Sequence, residues 1–315
     1  MHNSSSVLNT GRVIKTTGSW HTIKDGSQII LCKIRGKLRE KDIRITNPVA
    51  VGDIVQYESD SSEYGIITRI EPRKNYIIRR SSNLSKEAHI IASNIDQAFL
   101  MITLTLPETS LEFVDRFLLT AEAYHIPVII VINKTDLLTD KFVSLLSSIV
   151  RTYRFAGYTC IEISVKEKKG IEELAHLMQH KTNLLAGNSG VGKSSLINLL
   201  SPSVHLKIMD ISSSHKTGKH ATTYAEMIPL PSGGYIIDTP GIRGFGIIDI
   251  EKNEISLYFT DIFRLSQDCS FYNCTHTHEP GCAVRKAVDN GILAPSRYQS
   301  YINIFSDRNE KYRTG

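Results

Sequence analysis

Residues 187–194 read Gly-Asn-Ser-Gly-Val-Gly-Lys-Ser, a complete G-x-x-x-x-G-K-[ST] pattern. Glycines let the backbone curl until its amides face phosphate oxygens, and the following helix adds its positive N-terminus. On this reading the backbone from Gly187 through Asn188, Ser189, Gly190, Val191 and Gly192 cradles the phosphates. Lys193 reaches the β- and γ-phosphates as a catalytic cation, the Ser194 hydroxyl binds Mg²⁺, and Ser195 joins the nucleotide contacts. The apolar run before the loop and the helical run LINLL after it supply the strand and helix that the motif requires.

Three further stretches determine which nucleotide fits. Asn133-Lys134-Thr135-Asp136 follows the apolar run IPVIIVIN directly, at a strand end where ligands bind in parallel sheets. A carboxylate such as Asp136 can accept from both N1–H and the 2-amino group of guanine, and adenine has no matching donor pair. Asn133 and Lys134 complete this guanine-reading element. Ser164-Val165-Lys166 ends the strand YTCIEIS, so the backbone around Ser164 and Val165 is placed to contact the guanine O6. Asp238-Thr239-Pro240-Gly241 ends GGYIID. There Asp238 would hold Mg²⁺ through water, and the Gly241 amide would meet the γ-phosphate. Between the phosphate elements lies Gly218-Lys219-His220-Ala221-Thr222-Thr223, in which Thr222 or Thr223, with preference for Thr223, would bind Mg²⁺ only when GTP is present. The guanine elements therefore precede the phosphate elements, the reverse of the usual order. That arrangement defines a circularly permuted GTPase.

Near the C-terminus, CSFYNCTHTHEPGC supplies Cys269, Cys274, His276 and Cys282, a Cys₃His set suited to one structural Zn²⁺. His278 competes with His276 by composition alone. Four protein ligands leave no open position for catalysis, so the cluster reads as a staple for a small domain.

These motifs need positioning elements, and the 315 residues suffice for two or three domains. Residues 1–75 read as short β-rich runs separated by turns, with 12 Lys and Arg against 8 Asp and Glu, a net charge of +4 (12 − 8). Much of that charge sits in KIRGKLREKDIR, residues 33–44. A small basic barrel of the OB type fits, and such barrels often bind RNA. From residue 94, continuous apolar strands alternate with helices, the pattern of an α/β domain with a largely parallel sheet. Its first helix contains TSLEFVDRFLL, with Thr109 and Glu112 as an expected capping box. The expected division is an OB barrel over 1–75, the permuted GTPase over 76–250 and a mostly helical zinc-binding domain over 251–315. The chain carries 22% charged residues and a net charge of +5. No stretch of it has the ~20 apolar residues of a membrane helix. The N-terminus lacks a signal-peptide core, and nothing suggests a coiled coil or obligate dimer. The expectation is a cytoplasmic monomer with no membrane partner.

Taken together, NIDQ (94–97), VDRFLL (114–119), NKTD, GNSGVGKSSLIN, GKHATT, DTPGIRGFG and C-x₄-C-x-H-x₅-C followed by Ala283-Val284 resemble the ribosome small-subunit-dependent GTPases of the RsgA family. The resemblance covers nearly the whole chain. It implies an OB-fold, GTP hydrolysis stimulated by the 30S ribosomal subunit, contact with its 16S rRNA, a role in late 30S maturation, and His276 as the fourth zinc ligand. The alternative is an RNA-binding, GTP-regulated module whose nucleotide site is mainly structural.

The chain departs from pattern in one place. Many GTPases place a water-orienting Gln just after the DxxG element. Ile242 stands there and cannot hydrogen-bond water, so slow intrinsic turnover is expected until a partner completes the site. The His that many family members carry further along this switch falls at Asp249. That leaves His220 and Asp249 as catalytic candidates beside Lys193. The DTPG switch also runs straight into the zinc module, so it is expected to pull on that module.

Overall fold

The computed structural model describes residues 8–35, 48–59, 64–80, 88–206, 225–238 and 250–306. His220, Thr222, Thr223, Gly241, Ile242 and Asp249 lie outside the described residues, as does most of the basic run 33–44.

Five strands build the N-terminal barrel: β1 (Leu8–Thr17), β2 (Trp20–Asp25), β3 (Gln28–Ile34), β4 (Ile54–Glu58) and β5 (Gly65–Ile70). Their order is β1-β2-β3-β5-β4, and β4 pairs back onto β1, which closes the sheet. Alternate residues point inward, so Val13, Ile23, Cys32, Val55, Tyr57 and Ile67 fill a core of their own. A two-stranded sheet of β6 (Tyr76–Arg80) and β7 (Ala88–Ser93) follows.

The barrel's sheet continues from β1 through β12, in the order β10-β9-β8-β11-β13-β12 up to that junction. Its strands are β8 (Gln97–Ile102), β9 (Val128–Ile132), β10 (Thr159–Glu162), β11 (Thr182–Ala186), β12 (Glu226–Pro229) and β13 (Tyr235–Asp238). All neighbours are parallel except β12 and β13. Every residue of β8 and β11 is buried, because helices cover both faces. Ala98, Leu100 and Ile102 pack under α1 (Leu111–Ala123) and α2 (Asp140–Phe155). Phe99 and Met101 pack on the opposite face under α3 (Ile171–Met178) and α4 (Lys193–Leu200). The chain steps outward from β8 to β10, then returns past β8 to β11. This places a topological switch between β8 and β11, where parallel sheets bind ligands.

Helix α1 starts one residue later than its expected cap. Ser110, not Thr109, accepts the Phe113 N–H at 3.3 Å. The Thr109 hydroxyl already accepts the Thr103 N–H at 3.1 Å, so it cannot serve the helix.

The barrel is anchored to the parallel strands by the antiparallel β1–β12 pairing, with Lys15 opposite Glu226, and by polar contacts. Arg12 donates to the Thr182 hydroxyl at 2.7 Å, and Lys15 pairs with Glu226 at 3.0 Å. The buried Asp53 carboxylate accepts from Arg73 Nε at 2.7 Å and from Ser93 Oγ at 2.5 Å. At the other end, α5 (Thr260–Ser266), α6 (Ala283–Asp289) and α7 (Pro295–Ser306) enclose a third core of Ile255, Phe259, Ile262, Val284, Tyr301 and Ile304. Leu119 of α1 inserts into that core.

Candidate functional site

The predicted nucleotide residues converge at the carboxyl ends of the parallel strands. Asn133 follows β9, Ser164 lies just beyond β10, Gly187 follows β11, and Asp238 is the last residue of β13. Two glycines in the loop 187–192 have structural reasons to be glycine. Gly187 takes φ 140°, and a Cβ there would lie 2.3 Å from the Met101 carbonyl. Gly192 takes φ 105°, and a Cβ there would lie 2.5 Å from Asn133 Nδ2. Either contact would push the loop off the sheet end.

The guanine and phosphate elements lie 58 residues apart in sequence at their direct contact. Asn133 Nδ2 donates to the Val191 carbonyl at 2.7 Å, and its Oδ1 accepts the Val165 N–H at 3.1 Å. A single buried amide thus joins three loops. Lys134 adopts left-handed backbone geometry with φ 63°, which turns its side chain back across the loop. Its Nζ donates to the Gly190 carbonyl at 2.8 Å and to the Leu106 carbonyl. Burial lowers the Lys134 pKa, and the Asp136 carboxylate opposes that shift. Asn133 therefore acts within this structure as a tie between elements, beyond the guanine contact that its motif suggests.

Asp136 sits half-buried in a single 3₁₀ turn, Thr135–Leu137. Ser164 Oγ donates to its Oδ1 at 2.6 Å and itself accepts the Glu167 N–H at 3.1 Å. These bonds fix the orientation of the carboxylate. Thr135 Oγ1 donates to the Ile163 carbonyl at 3.0 Å, which fastens the same turn to the end of β10.

Lys193 opens α4, and its Nζ donates to the Gly187 and Asn188 carbonyls at 2.6 and 2.8 Å. The cation is thus held inside the curl of the loop. Burial lowers its pKa, and the charge of Asp238 works against that. Ser194 and Ser195 occupy the first turn of α4, both half-buried. Asn188 and Gly190 are half-buried and Ser189 is exposed, so the loop presents its backbone at the surface.

The cysteine cluster forms a separate centre. One ligand atom from each of Cys269, Cys274, His276 and Cys282 lies within 4.8 Å of the others. His276 Nδ1 lies 3.6 Å from both Cys269 Sγ and Cys282 Sγ. His278 does not join them: it is exposed, and its Nδ1 shares a hydrogen bond with Thr277 Oγ1 at 2.8 Å. Tyr298 and Tyr301 donate to the carbonyls of His276 and Thr275, so α7 props the ligand loop from behind. Glu279 accepts the N–H groups of Thr275, Thr277 and His278, which shapes the turn between the last two ligands. Three thiols and an imidazole at this spacing fit a tetrahedral Zn²⁺.

Sequence reasoning missed one buried feature. Arg297 on α7 is 1% exposed. It donates to Asp115 of α1 at 2.7 Å and to both oxygens of Asp261 of α5 at 3.1 and 3.3 Å. Tyr153 of α2 donates to the same Asp115 oxygen at 3.0 Å. The guanidinium lies 4.4 Å from the Phe259 ring centre. This triad ties the C-terminal helices α5 and α7 to α1. The signal for it was an Asp inside the apolar run VDRFLL.

Comparison with known proteins agrees along the chain. The RsgA GTPase family model matches residues 70–248, and the RsgA N-terminal domain model matches residues 10–67. The small ribosomal subunit biogenesis GTPase RsgA 2 of Bacteroides thetaiotaomicron is 50% identical over 305 residues, covering 96% of this chain and 98% of that protein. The small ribosomal subunit biogenesis GTPase RsgA of Flavobacterium psychrophilum is 48% identical over 97% of this chain and 95% of that protein. Among solved structures, YjeQ from Thermotoga maritima aligns with a TM-score of 0.77 at 34% identity, over 95% of this chain and 98% of that one. YloQ, described as a circularly permuted GTPase, aligns with a TM-score of 0.75 at 32% identity, over 99% of this chain and 98% of that one. The permuted order of guanine and phosphate loops, the closed five-stranded barrel and identity near one half over almost the whole length place the chain in the RsgA family of GTPases.

Proposed function

We propose that this chain hydrolyses GTP and acts in small ribosomal subunit biogenesis, binding the 30S subunit through its 16S rRNA as a cytoplasmic monomer. The observation that carries the reading is the pair of bonds from Asn133 and Lys134 to the Val191 and Gly190 carbonyls. They join a guanine-reading element and a phosphate loop into one pocket. In that pocket Asp136 reads the base, the backbone around Ser164 and Val165 faces O6, and the amides of 187–192 and Gly241 hold phosphate. Lys193 stabilises charge on the β- and γ-phosphates. Ser194 and Asp238, with Thr222 or Thr223, hold Mg²⁺, which neutralises charge on the phosphates during transfer. Intact Lys193, Ser194 and Asp238 favour turnover over a nucleotide site that only stabilises the fold.

We assign the barrel to residues 1–75, the GTPase to 76–250 and the zinc module to 251–315. Cys269, Cys274, His276 and Cys282 hold one structural Zn²⁺. The barrel presents Lys33 Nζ 4.2 and 4.8 Å from the ring centres of Trp20 and Tyr64, which meet edge to face at 5.4 Å. A cation beside two partly exposed rings suits stacking and phosphate contact with RNA. Ile242 leaves the attacking water without a side-chain partner at that position, so the ribosomal particle must complete or reshape the site. His220 and Asp249 are the side chains of the two switches that it would recruit. No helix among the described residues is long and apolar enough to cross a membrane.

The direct test of the partner is cosedimentation with purified 30S and 50S subunits. The chain is expected to pellet with 30S particles and to bind more tightly with a non-hydrolysable GTP analogue than with GDP. Binding to neither subunit would overturn the ribosomal assignment while leaving GTP hydrolysis standing.

A further inference from the structure

A row of three charged residues crosses the junction between barrel and GTPase strands. Lys15 of β1 stands opposite Glu226 of β12, and Glu226 stands opposite Asp238 of β13. Both pairings are antiparallel, and side chains directly opposite across such a pair share a face. Lys15 Nζ reaches Glu226 Oε2 at 3.0 Å, so the first two side chains meet. Strand spacing puts the backbone of Asp238 about 5 Å from that of Glu226. Asp238 ends β13, and its charge acts on Lys193 of the phosphate loop. Two carboxylates directly opposite on one face repel each other, and nothing in a sheet favours that choice. The cation that offsets Glu226 comes from the barrel, and a bulge aims it. The β1–β2 register shifts between Val13 and Lys15, which leaves Ile14 as the extra residue. Ile14 packs on the core beneath α1, and Lys15 turns to Glu226. Arg12 and Lys24 hold the start of the same strand β13, 6.0 and 5.4 Å from the Tyr235 ring centre.

Given the role read above for Asp238 in holding Mg²⁺, we propose that Lys15 and Glu226 are positioning residues for that carboxylate, through which the docked barrel sets the affinity for GTP. Lys15 offsets the charge of Glu226, so Asp238 serves the ion without a second, uncompensated carboxylate beside it. Both members of the Lys15–Glu226 pair are half-exposed, and such a pair contributes little to stability, so stability alone does not account for the bulge that forms it. A bare Glu226 would repel the nucleotide phosphates and compete with Asp238 for the cation. Drawing β1 away from β12 would have the same effect as removing the Lys15 charge. The nucleotide site therefore registers whether the barrel is docked, and by reciprocity GTP favours the docked barrel.

The test titrates a fluorescent, non-hydrolysable GTP analogue into the full-length chain over a range of Mg²⁺ concentrations and reads binding by anisotropy. Lys15→Met keeps most of the stem and removes the charge, and it should weaken binding on the order of threefold. Glu226→Gln should shift affinity the other way, because Lys15 then stands uncompensated. The double variant Lys15→Met/Glu226→Gln should return to within about twofold of the parent chain. Charge alone orders the variants in this way. The proposal is overturned if Lys15→Met binds like the parent, or if the double variant stays as weak as Lys15→Met, which is the result expected if Lys15 only holds the barrel in place. Asp238→Asn separates the two levels. It should remove most of the Mg²⁺ dependence of binding. If that dependence survives, the assignment of Asp238 fails and the row fails with it. If that dependence is lost but the Lys15 and Glu226 variants are all alike, the row alone fails.

Discussion

Replacing Asp136 by Asn should turn the pocket from guanine to xanthine nucleotides. Ser164 Oγ holds one oxygen of this carboxylate at 2.6 Å. The Asn amide oxygen keeps that bond, which turns Nδ2 toward the base. There an N–H faces the donors of guanine and leaves them unsatisfied, but it matches the C2 oxygen of xanthine. A site built around specific hydrogen bonds rejects a mismatched base strongly, so GTP affinity should fall by on the order of 10²–10⁴-fold while XTP gains. Competition of GTP and XTP against a fluorescent nucleotide reads the change directly. An Asp136→Asn variant that still prefers GTP would show that this carboxylate does not face the base.

The second large effect belongs to Arg297. Its guanidinium is buried between two carboxylates on different helices, and Tyr153 also hydrogen-bonds Asp115. Arg297→Met removes the cation and leaves two carboxylates in an apolar core. Breaking a buried pair in this way costs about 3–5 kcal/mol, which should appear as a large drop in the urea midpoint. Asp115→Asn should be milder. Burial pushes the Asp115 carboxyl up, against the pull of Arg297, and its Oδ2 has no hydrogen-bond partner. The neutral amide keeps an acceptor for Arg297 and Tyr153. Replacing Asp115, Arg297 and Asp261 together by apolar residues of similar volume should recover most of the loss. Equal losses from Arg297→Met and Asp115→Asn would contradict this account of the triad. The triad also bears on mechanics. Helices α5 and α7 are joined to α1 and α2 by a buried charge network, so a switch that pulls on them must either break that network or move α1 and α2 with them.

What could be read in the sequence was whatever lies contiguous in the chain. The phosphate loop, NKTD and the cysteine cluster each occupy fewer than fifteen residues, and each has a composition tied to its chemistry. The parallel sheet announced itself through runs such as IPVIIVIN, because strands buried on both faces have no polar alternation to lose. Long-range pairings were not legible. Arg297 and Asp115 are 182 residues apart, and nothing local marks Arg297 as buried. The role of Asn133 as a tie between three loops appears only once Val191 and Val165 are brought beside it. The β6–β7 pair, between the β-rich stretch 1–75 and the α/β pattern from residue 94, was also not legible, because two such short runs gain their strand character from each other. The cap of α1 was displaced by one residue for a similar reason: Thr103, not the helix, claims the Thr109 hydroxyl.

The central claim is a GTPase whose pocket is complete for binding but waits on the small ribosomal subunit for rapid turnover. Single-turnover hydrolysis of γ-labelled GTP, measured alone, with 30S particles and with 50S particles, tests it most directly. The account predicts slow hydrolysis alone, acceleration by 30S only, and loss of both rates in Lys193→Ala. Fast hydrolysis by the isolated chain, or equal acceleration by 50S particles, would contradict it.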